Sequence, residues 1–513
     1  MAGRTRFRDL SEARETLSEA ELRFEHRRRS IGFVVGPLAF VLLLLLPMDL
    51  PRPPARLLAV LAWVLTWWLT EAVPIPVTAL LGPALGALCG VGTAKQMFGT
   101  LGDPIIFLFL GSFILAEGMS TSGLDRRMAF AILARPWVGS SAGRIHVTFA
   151  VIVAVLSMWL SNTATTAMMY PIAMSILTEL VQLLGGEQDF TRLRYGTSLM
   201  LTTAYAASIG GIATPVGSPP NLIAIGQLRA LAGIELPFFQ WMLLTTPLML
   251  LMLALLVLYM RRALPPEAEQ ITGSAEHVAA QRRALGPWTA AQRNALLAFG
   301  VTVALWVLPG VLALILGQEA ELCRALKNQL PEAAAAVVGA VLLFVLPVDW
   351  KQRRFTLTWN QAVNIDWGTL LLFGGGLSLG GAMFRTGLAR SIGTTLVRVT
   401  GARSPWALTY LFAGVSLVLT ETTSNTAAAT MVCPLAIAAA RAAHLSPVAP
   451  TVATALAASM AFLLPVSTPP NAIIYGSGCV PITAMLRHGA VLDLAVMAIM
   501  PAGVMLISRA LGI

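Results

Sequence analysis

Charge is what this sequence has least of: Asp, Glu, Lys and Arg make up 12% of its 513 residues, against roughly 25% in an ordinary soluble domain. That shortage excludes a domain solvated on all sides. Cysteine is sparser still. Cys89, Cys323, Cys433 and Cys479 are the whole set, none belongs to a CxxC pair, and each lies in or beside an apolar segment. They imply neither a disulfide framework nor a zinc site. The five histidines are scattered, which argues against metal catalysis. What the chain does have is apolar surface, 56% of residues with a mean hydropathy of +0.74, and this is the composition of an integral membrane protein. Basic residues outnumber acidic ones by 35 to 25. They sit in short clusters between apolar runs, such as Arg27-Arg28-Arg29, Arg261-Arg262 and Arg282-Arg283, a distribution that orients a chain in a bilayer and gives no reason to expect a nucleic-acid partner.

A spanning helix needs about 20 apolar residues. Runs of that kind lie near 31–50, 57–73, 76–92, 104–120, 195–231, 239–260, 293–317, 333–347, 366–384, 449–479 and 489–511, which predicts about eleven transmembrane helices. Two further stretches, 145–184 and 404–440, are too long for one crossing and are interrupted at the middle by a polar cluster rather than a charged loop. Each is predicted to be a re-entrant hairpin. The runs lack the alternation of a membrane barrel, so the expected fold class is an all-α polytopic membrane protein, without strands. Residues 1–30 carry eight Arg against six acids and no run of signal-peptide length, and are expected to form an uncleaved, partly helical cytoplasmic tail. With Arg27 to Arg29 abutting the first span, the positive-inside bias predicts a cytoplasmic N-terminus and a cytoplasmic loop over 261–292. Arg385, Arg390, Arg398 and Arg403 would then fall outside, against the bias.

An internal duplication bears on this. Phe107, Gly111, Met119, Gly123-Leu124 and Arg126 match Leu371, Gly375, Met383, Gly387-Leu388 and Arg390. Ser161-Asn162-Thr163 recurs as Ser424-Asn425-Thr426, and Gly217-Ser218-Pro219-Pro220-Asn221 as Ser467-Thr468-Pro469-Pro470-Asn471. An odd number of crossings between equivalent points makes the repeats inverted, the arrangement of secondary transporters built on broken helices. Amphipathic stretches Leu124 to Arg135 and Leu388 to Arg398 fit opposite membrane surfaces, their arginines snorkelling to headgroups.

The polar clusters carry the chemistry. Each Ser-Asn-Thr at a hairpin tip precedes a new helical run and has the composition of an N-cap. Each Pro-Pro removes backbone donors and must break a span, and unwound backbone at that depth survives only where it lines a cavity or is buried in protein. The segments bearing these motifs contain no Lys or Arg between Arg144 and Arg192, Tyr195 and Arg229, Arg403 and Arg441, or Arg441 and Arg487. An anion there would meet hydroxyls, amides, helix N-termini and any co-bound cation, and the oxygen-rich loops suit Na+. Glu71 and Glu421 are intramembrane acids, functional by default, though each adjoins a helix end and reads equally as a structural anchor. Gly139-Ser140-Ser141-Ala142-Gly143 fits GxSxG formally, but follows no strand and has no catalytic partners in view, so no enzyme is expected.

With the stretch Trp67-Trp68-Leu69-Thr70-Glu71-Ala72-Val73-Pro74-Ile75-Pro76-Val77-Thr78, the paired motifs make residues 31–513 resemble the divalent anion:sodium symporter family, which carries dicarboxylates, citrate or sulfate. The resemblance implies a homodimeric elevator in the plasma (inner) membrane. Scaffold would occupy 31–135 and 293–400, and a moving transport domain 136–260 and 401–513. It further implies that Ser161, Asn162, Thr163, Ser424, Asn425 and Thr426 bind substrate carboxylates, helped by Ser218 and Thr468. One sodium site would draw on Ser157, Ser161, Asn162 and Gly217, the other on Thr420, Asn425 and Ser467, where relatives often have Ala in place of Ser467. A C4 dicarboxylate such as succinate fits donors on both sides of a cavity. Sulfate or citrate symport, sodium-independent exchange on the same fold, and a channel or antiporter stay open at this point.

Overall fold

The computed structural model describes residues 19–184, 193–317 and 320–513, and these are mostly helical. Helices cover every one of the apolar runs. The first repeat contains α1 (Glu19–Leu45), α2 (Arg52–Thr70), α3 (Ile75–Leu88), a short α4 (Ala94–Phe98), α5 (Pro104–Ser122) and α6 (Leu124–Leu133). It continues with α7 (Ala142–Ser157), α8 (Asn162–Leu183), α9 (Arg194–Gly211), α10 (Pro219–Gln227) and α11 (Phe238–Ala263). Beyond α12 (Ser274–Ala284), the second repeat runs through α13 (Ala290–Leu316), α14 (Glu321–Gln329), α15 (Glu332–Val345), α16 (Trp359–Ala362), α17 (Trp367–Thr386) and α18 (Leu388–Thr400). It ends with α19 (Pro405–Thr420), α20 (Asn425–Ala442), α21 (Val448–Ala458), α22 (Pro469–Tyr475) and α23 (Ile482–Leu511). Seven helical stretches among the described residues are long and apolar enough to cross a membrane.

Local chemistry explains the punctuation. Asp103 caps α5 by accepting the Ile105 N–H at 2.9 Å, and Asp366 caps α17 by accepting that of Thr369 at 3.0 Å. Both helices end on a glycine in the left-handed region, Gly123 at φ 70° and Gly387 at φ 83°, a conformation glycine adopts without steric cost. There the chain turns into the amphipathic helices α6 and α18.

The packing is reciprocal between repeats. Helix α5 packs on α15 and α17 on α3; α7 packs on α9 and α19 on α21. The short half-helices reach across, α10 onto α20 and α21, α22 onto α8 and α9. From Tyr195 to Gly211 every residue of α9 is buried, and so is every residue of α21. These two helices form the centre of the molecule. By contrast α1 and α13 expose Leu45, Leu314 and Ile315, apolar side chains that belong against lipid.

Three features depart from the sequence expectation. A two-stranded antiparallel hairpin, β1 (Pro347–Asp349) and β2 (Arg354–Phe355), follows α15. It forms because Asp349 Oδ1 accepts the N–H groups of Lys351 and Gln352 at 2.9 and 3.1 Å and closes a turn. The segment 261–292 is not merely a loop, since it carries α12. The polar tail is partly helical, as expected, but does not end at residue 30: α1 begins at Glu19 and runs through the arginines into the first span, while residues 1–18 lie outside the described residues.

Candidate functional site

The hairpin tips are built alike. At the first, Ser161 caps α8 by accepting the Ala164 N–H at 3.2 Å; at the second, Ser424 caps α20 by accepting the Ala427 N–H at 3.2 Å. The hydroxyl of Ser157, in the last turn of α7, donates to Asn162 Oδ1 at 2.7 Å, and that of Thr420, in the last turn of α19, donates to Asn425 Oδ1 at 2.7 Å. Ser157 and Thr420 are fully buried. Ser161, Asn162, Thr163, Ser424, Asn425 and Thr426 are half-buried, which leaves both tips open to a ligand.

The breaks between α9 and α10 and between α21 and α22 are also held alike. Asn221 donates its amide to the carbonyls of Gly211 and Thr214 at 2.9 and 2.8 Å. Asn471 donates to those of Ala461 and Leu464 at 3.1 and 3.0 Å. Each asparagine spans its own unwound segment and satisfies carbonyls that the prolines have stranded. Both side-chain oxygens, Asn221 Oδ1 and Asn471 Oδ1, are buried without a hydrogen-bond partner.

Around Gly217 the oxygens converge. A methyl placed on it would stand 2.6 to 2.9 Å from the carbonyl oxygens of Gly211, Met158 and Ser157. One on Gly211 would strike Asn162 Oδ1 and approach the Gly217 carbonyl at 3.1 Å. The position therefore requires glycine and presents a cradle of hard oxygen ligands of the kind alkali and alkaline-earth cations take. In the second repeat Thr420 Oγ1 lies 2.7 Å from both Asn425 Oδ1 and the Ala458 carbonyl. One hydroxyl proton cannot serve both acceptors, so this oxygen set is also short of positive charge.

The second loop has an additional partner. Glu421, 6% exposed, accepts the Phe462 N–H at 2.8 Å, the Leu463 N–H at 3.2 and 3.3 Å and the Ser467 hydroxyl at 2.6 Å. Glu421 thus anchors the loop that sequence reasoning offered as a sodium ligand through Ser467. Its counterpart, Met158, holds the first loop only through its carbonyl, to which Thr214 donates. Thr468 caps α22 by accepting the Asn471 N–H at 3.3 Å. Ser218 instead reaches across the repeats to Ser459, with 3.0 Å between the hydroxyls. That bond ties the two loops into one structure. Glu71 anchors as well: it closes α2 at φ 47° and pairs with Arg28 at 3.3 Å and Arg29 at 3.7 Å, while Arg28 Nη1 donates to the Thr422 carbonyl at 2.9 Å. Sequence reasoning quoted Thr214, Asn221 and Asn471 within the broken-helix motifs without giving them a role, and passed over Asp493. The last could have been found as the one acid in the final apolar run.

The transmembrane region of sodium:sulfate symporters matches residues 27–512, nearly the whole chain. The chain belongs to this family. Within the sodium:sulfate symporter family, the sodium-dependent dicarboxylate transporter SdcS of Staphylococcus saprophyticus is 34% identical over 469 residues, 90% of this chain and 87% of that protein. SdcS of Staphylococcus aureus strain USA300 is 34% identical over 464 residues with the same coverage. Two solved structures share the fold at low identity. MtrF of Neisseria gonorrhoeae has a TM-score of 0.54 and 12% identity, covering 90% of this chain and 97% of its own. The YdaH transporter of Alcanivorax borkumensis has a TM-score of 0.52 and 14% identity, covering 90% and 98%. Membership in the symporter family together with the apolar helices makes this chain a multi-pass membrane transporter.

Proposed function

We propose that the protein carries a C4 dicarboxylate such as succinate into the cell together with Na+, as a homodimer in the plasma membrane with its N-terminus in the cytoplasm. The relatives named sodium-dependent dicarboxylate transporter support the substrate and the coupling ion. The observation that carries the reading is the pair of oxygen cradles at Asn162 and Asn425, each bonded to a buried hydroxyl and each beside an open helix N-terminus. A sodium ion at each cradle supplies positive charge to segments that contain none. The Ser161-Asn162-Thr163 and Ser424-Asn425-Thr426 tips, with Ser218 and Thr468, then offer hydroxyls, amides and the positive ends of α8 and α20 to the two carboxylates. Sodium comes first in this scheme, because a dianion entering without it meets only partial charges of about half a unit at each helix end. The two repeats are inverted, and both hairpins and broken helices move as a transport domain (136–260 and 401–513) against a scaffold (31–135 and 293–400), an elevator in which the site travels intact.

Uptake of labelled succinate, citrate and sulfate into proteoliposomes, with and without an inward sodium gradient, tests this. Succinate is expected to accumulate only with sodium. Uptake equally fast in choline and sodium media would reassign the protein to exchange, and preference for sulfate or citrate would change the substrate.

A further inference from the structure

The hairpin β1–β2 and the four-residue α16 close a cavity of about 530 Å³ against the end of α5 and the start of α13. Transport gives this space no task. Its lining residues divide by where their protons go. The hydroxyls of Thr121, Ser122 and Thr356 already donate to the carbonyls of Glu117, Met119 and Leu346, at 2.8, 3.0 and 2.9 Å. That of Thr358 donates to Gln361 Oε1 at 2.8 Å, and the same oxygen accepts the Thr358 N–H at 2.9 Å. With its oxygen so engaged, Gln361 keeps both amide protons to give. Arg353 and Arg354 also line the cavity, and among the described residues neither enters an ion pair. Among the described residues no Asp or Glu lines it. Three uncommitted donors, two of them cationic, therefore share one space without an anionic acceptor.

The backbone holds one of these arginines in an uncommon conformation. Arg353 stands at φ 49°, in the left-handed region that glycine adopts freely and other residues rarely enter. Its N–H donates to the Trp350 carbonyl at 3.3 Å, a bond that glycine would make equally well, so the turn needs the backbone at 353 and not the guanidinium. The hairpin carries Lys351, Arg353 and Arg354 against a single acid, Asp349, which the turn amides already occupy. Position matters as much as charge. Phe344, in the last turn of α15, lines the same cavity, and Val345 beside it is 54% exposed. Trp359 lines it too, and Trp350 meets the lining Phe355 edge-on with centroids 6.4 Å apart. Both indoles are exposed, as amphipathic rings are at the headgroup level of a bilayer. Asn294, near the start of α13, donates to the Pro347 carbonyl at 3.0 Å and to Thr356 Oγ1 at 2.9 Å. The cavity thus lies on the side of the arginine-rich segment 261–292, which the positive-inside bias assigns to the cytoplasmic, anionic leaflet.

We infer that this cavity binds the phosphodiester headgroup of an anionic phospholipid, held by Arg353, Arg354 and Gln361 with its acyl chains along α15. Guanidinium forks match phosphate oxygens. A zwitterionic headgroup fits worse, because its ammonium meets two guanidiniums and no carboxylate. A lipid seated here joins the hairpin to α5 and α13, so its binding registers as stability. The inference rests on the chain being a multi-pass membrane protein and not on which anion it carries.

The test uses the purified full-length protein in detergent, titrated with phosphatidylglycerol or phosphatidylcholine bearing identical dioleoyl chains, or with inorganic phosphate. Unfolding temperature and native mass spectrometry are the readouts. Phosphatidylglycerol is expected to raise the unfolding temperature saturably and to be retained at one molecule per chain; phosphatidylcholine and inorganic phosphate are expected to do neither. Arg353→Gly with Arg354→Gln should weaken the lipid effect by at least about 10-fold, the scale of a lost hydrogen bond to a charged group. Arg282→Gln with Arg283→Gln, an equal charge change at exposed arginines outside the cavity, should leave it intact. Equal stabilisation by phosphatidylcholine overturns the headgroup site, and so does an equal loss in both double variants, which reports surface charge alone. Stabilisation by inorganic phosphate at the same concentration assigns the cavity to a free anion and overturns the lipid. Should the double variant fail to assemble, Arg353→Gly alone decides, since it puts glycine where the backbone favours it: unchanged lipid retention in that variant overturns the proposal.

Discussion

The two hairpin tips share a backbone and differ in what holds it. Around Asn162 the neighbouring loop is fastened by neutral groups, with Thr214 bonded to the Met158 carbonyl and to the Gly217 N–H at 3.1 Å, and the tightest point needs a glycine. Around Asn425 the loop is fastened by a carboxylate, and Ser467 stands where the first repeat has Gly217. The duplication preserved the elements that make a ligand cradle: the N-cap serine, the asparagine with its buried hydroxyl, and the asparagine that spans the break. It did not preserve the electrostatics behind the cradle. One tip is packed so closely that side-chain volume decides its fate; the other depends on charge.

The largest effect is expected where the tips agree. Asn162→Ala and Asn425→Ala each remove an oxygen shared between a buried hydroxyl and the ligand, and each should abolish sodium-driven uptake while the protein still assembles. Near-normal uptake in either variant removes that residue from the site. A smaller and unequal effect is expected where they differ. Gly217→Ala drives a methyl among three carbonyl oxygens and should raise the sodium concentration for half-maximal uptake by at least about 10-fold, the scale of a displaced metal ligand shell. Ser467→Gly deletes only a hydrogen bond to a carboxylate, about 1.5–3 kcal/mol, and should register mainly as a lower unfolding temperature with sodium affinity nearly retained. Equal sodium shifts in the two variants would erase the distinction between tips. The mildest case is Thr420→Ala. Loss of its hydroxyl from the Asn425 and Ala458 oxygens should raise the sodium requirement more than it alters discrimination between succinate and sulfate, measured by competition.

Much of this was legible because its causes are local. Ser161 and Ser424 announce helix starts, and Pro219-Pro220 and Pro469-Pro470 announce breaks, through chemistry that acts within a few residues. The apolar runs mark the long helices whether they face lipid, as α1 and α13 do, or lie buried at the centre, as α9 and α21 do. Helices α12 and α14 escaped because their composition is polar, and the short hairpin at 347–355 because its strands are too brief to show a period. The reach of Glu421 to Phe462, Leu463 and Ser467 was invisible for a different reason: it joins residues some forty positions apart, and the register of two broken helices decides it.

Arg28 fastens the second tip to its surroundings. It donates to the Thr422 carbonyl and pairs with Glu71 at the end of α2, while Thr423 donates its hydroxyl to the Trp68 carbonyl at 3.3 Å. In the elevator proposed above, a hairpin sliding past α2 would have to release both bonds in every stroke and remake them on return. Charge-assisted and neutral bonds of this kind are worth about 1–3 kcal/mol each, and each 1.36 kcal/mol of barrier slows a step tenfold. Under that proposal the pair would act as a brake on turnover rather than as a determinant of affinity. A stretch of arginines that first reads as an orientation signal is also, in the folded chain, a fastening between the first helix and the second hairpin tip, and in the proposed elevator it would set the tempo.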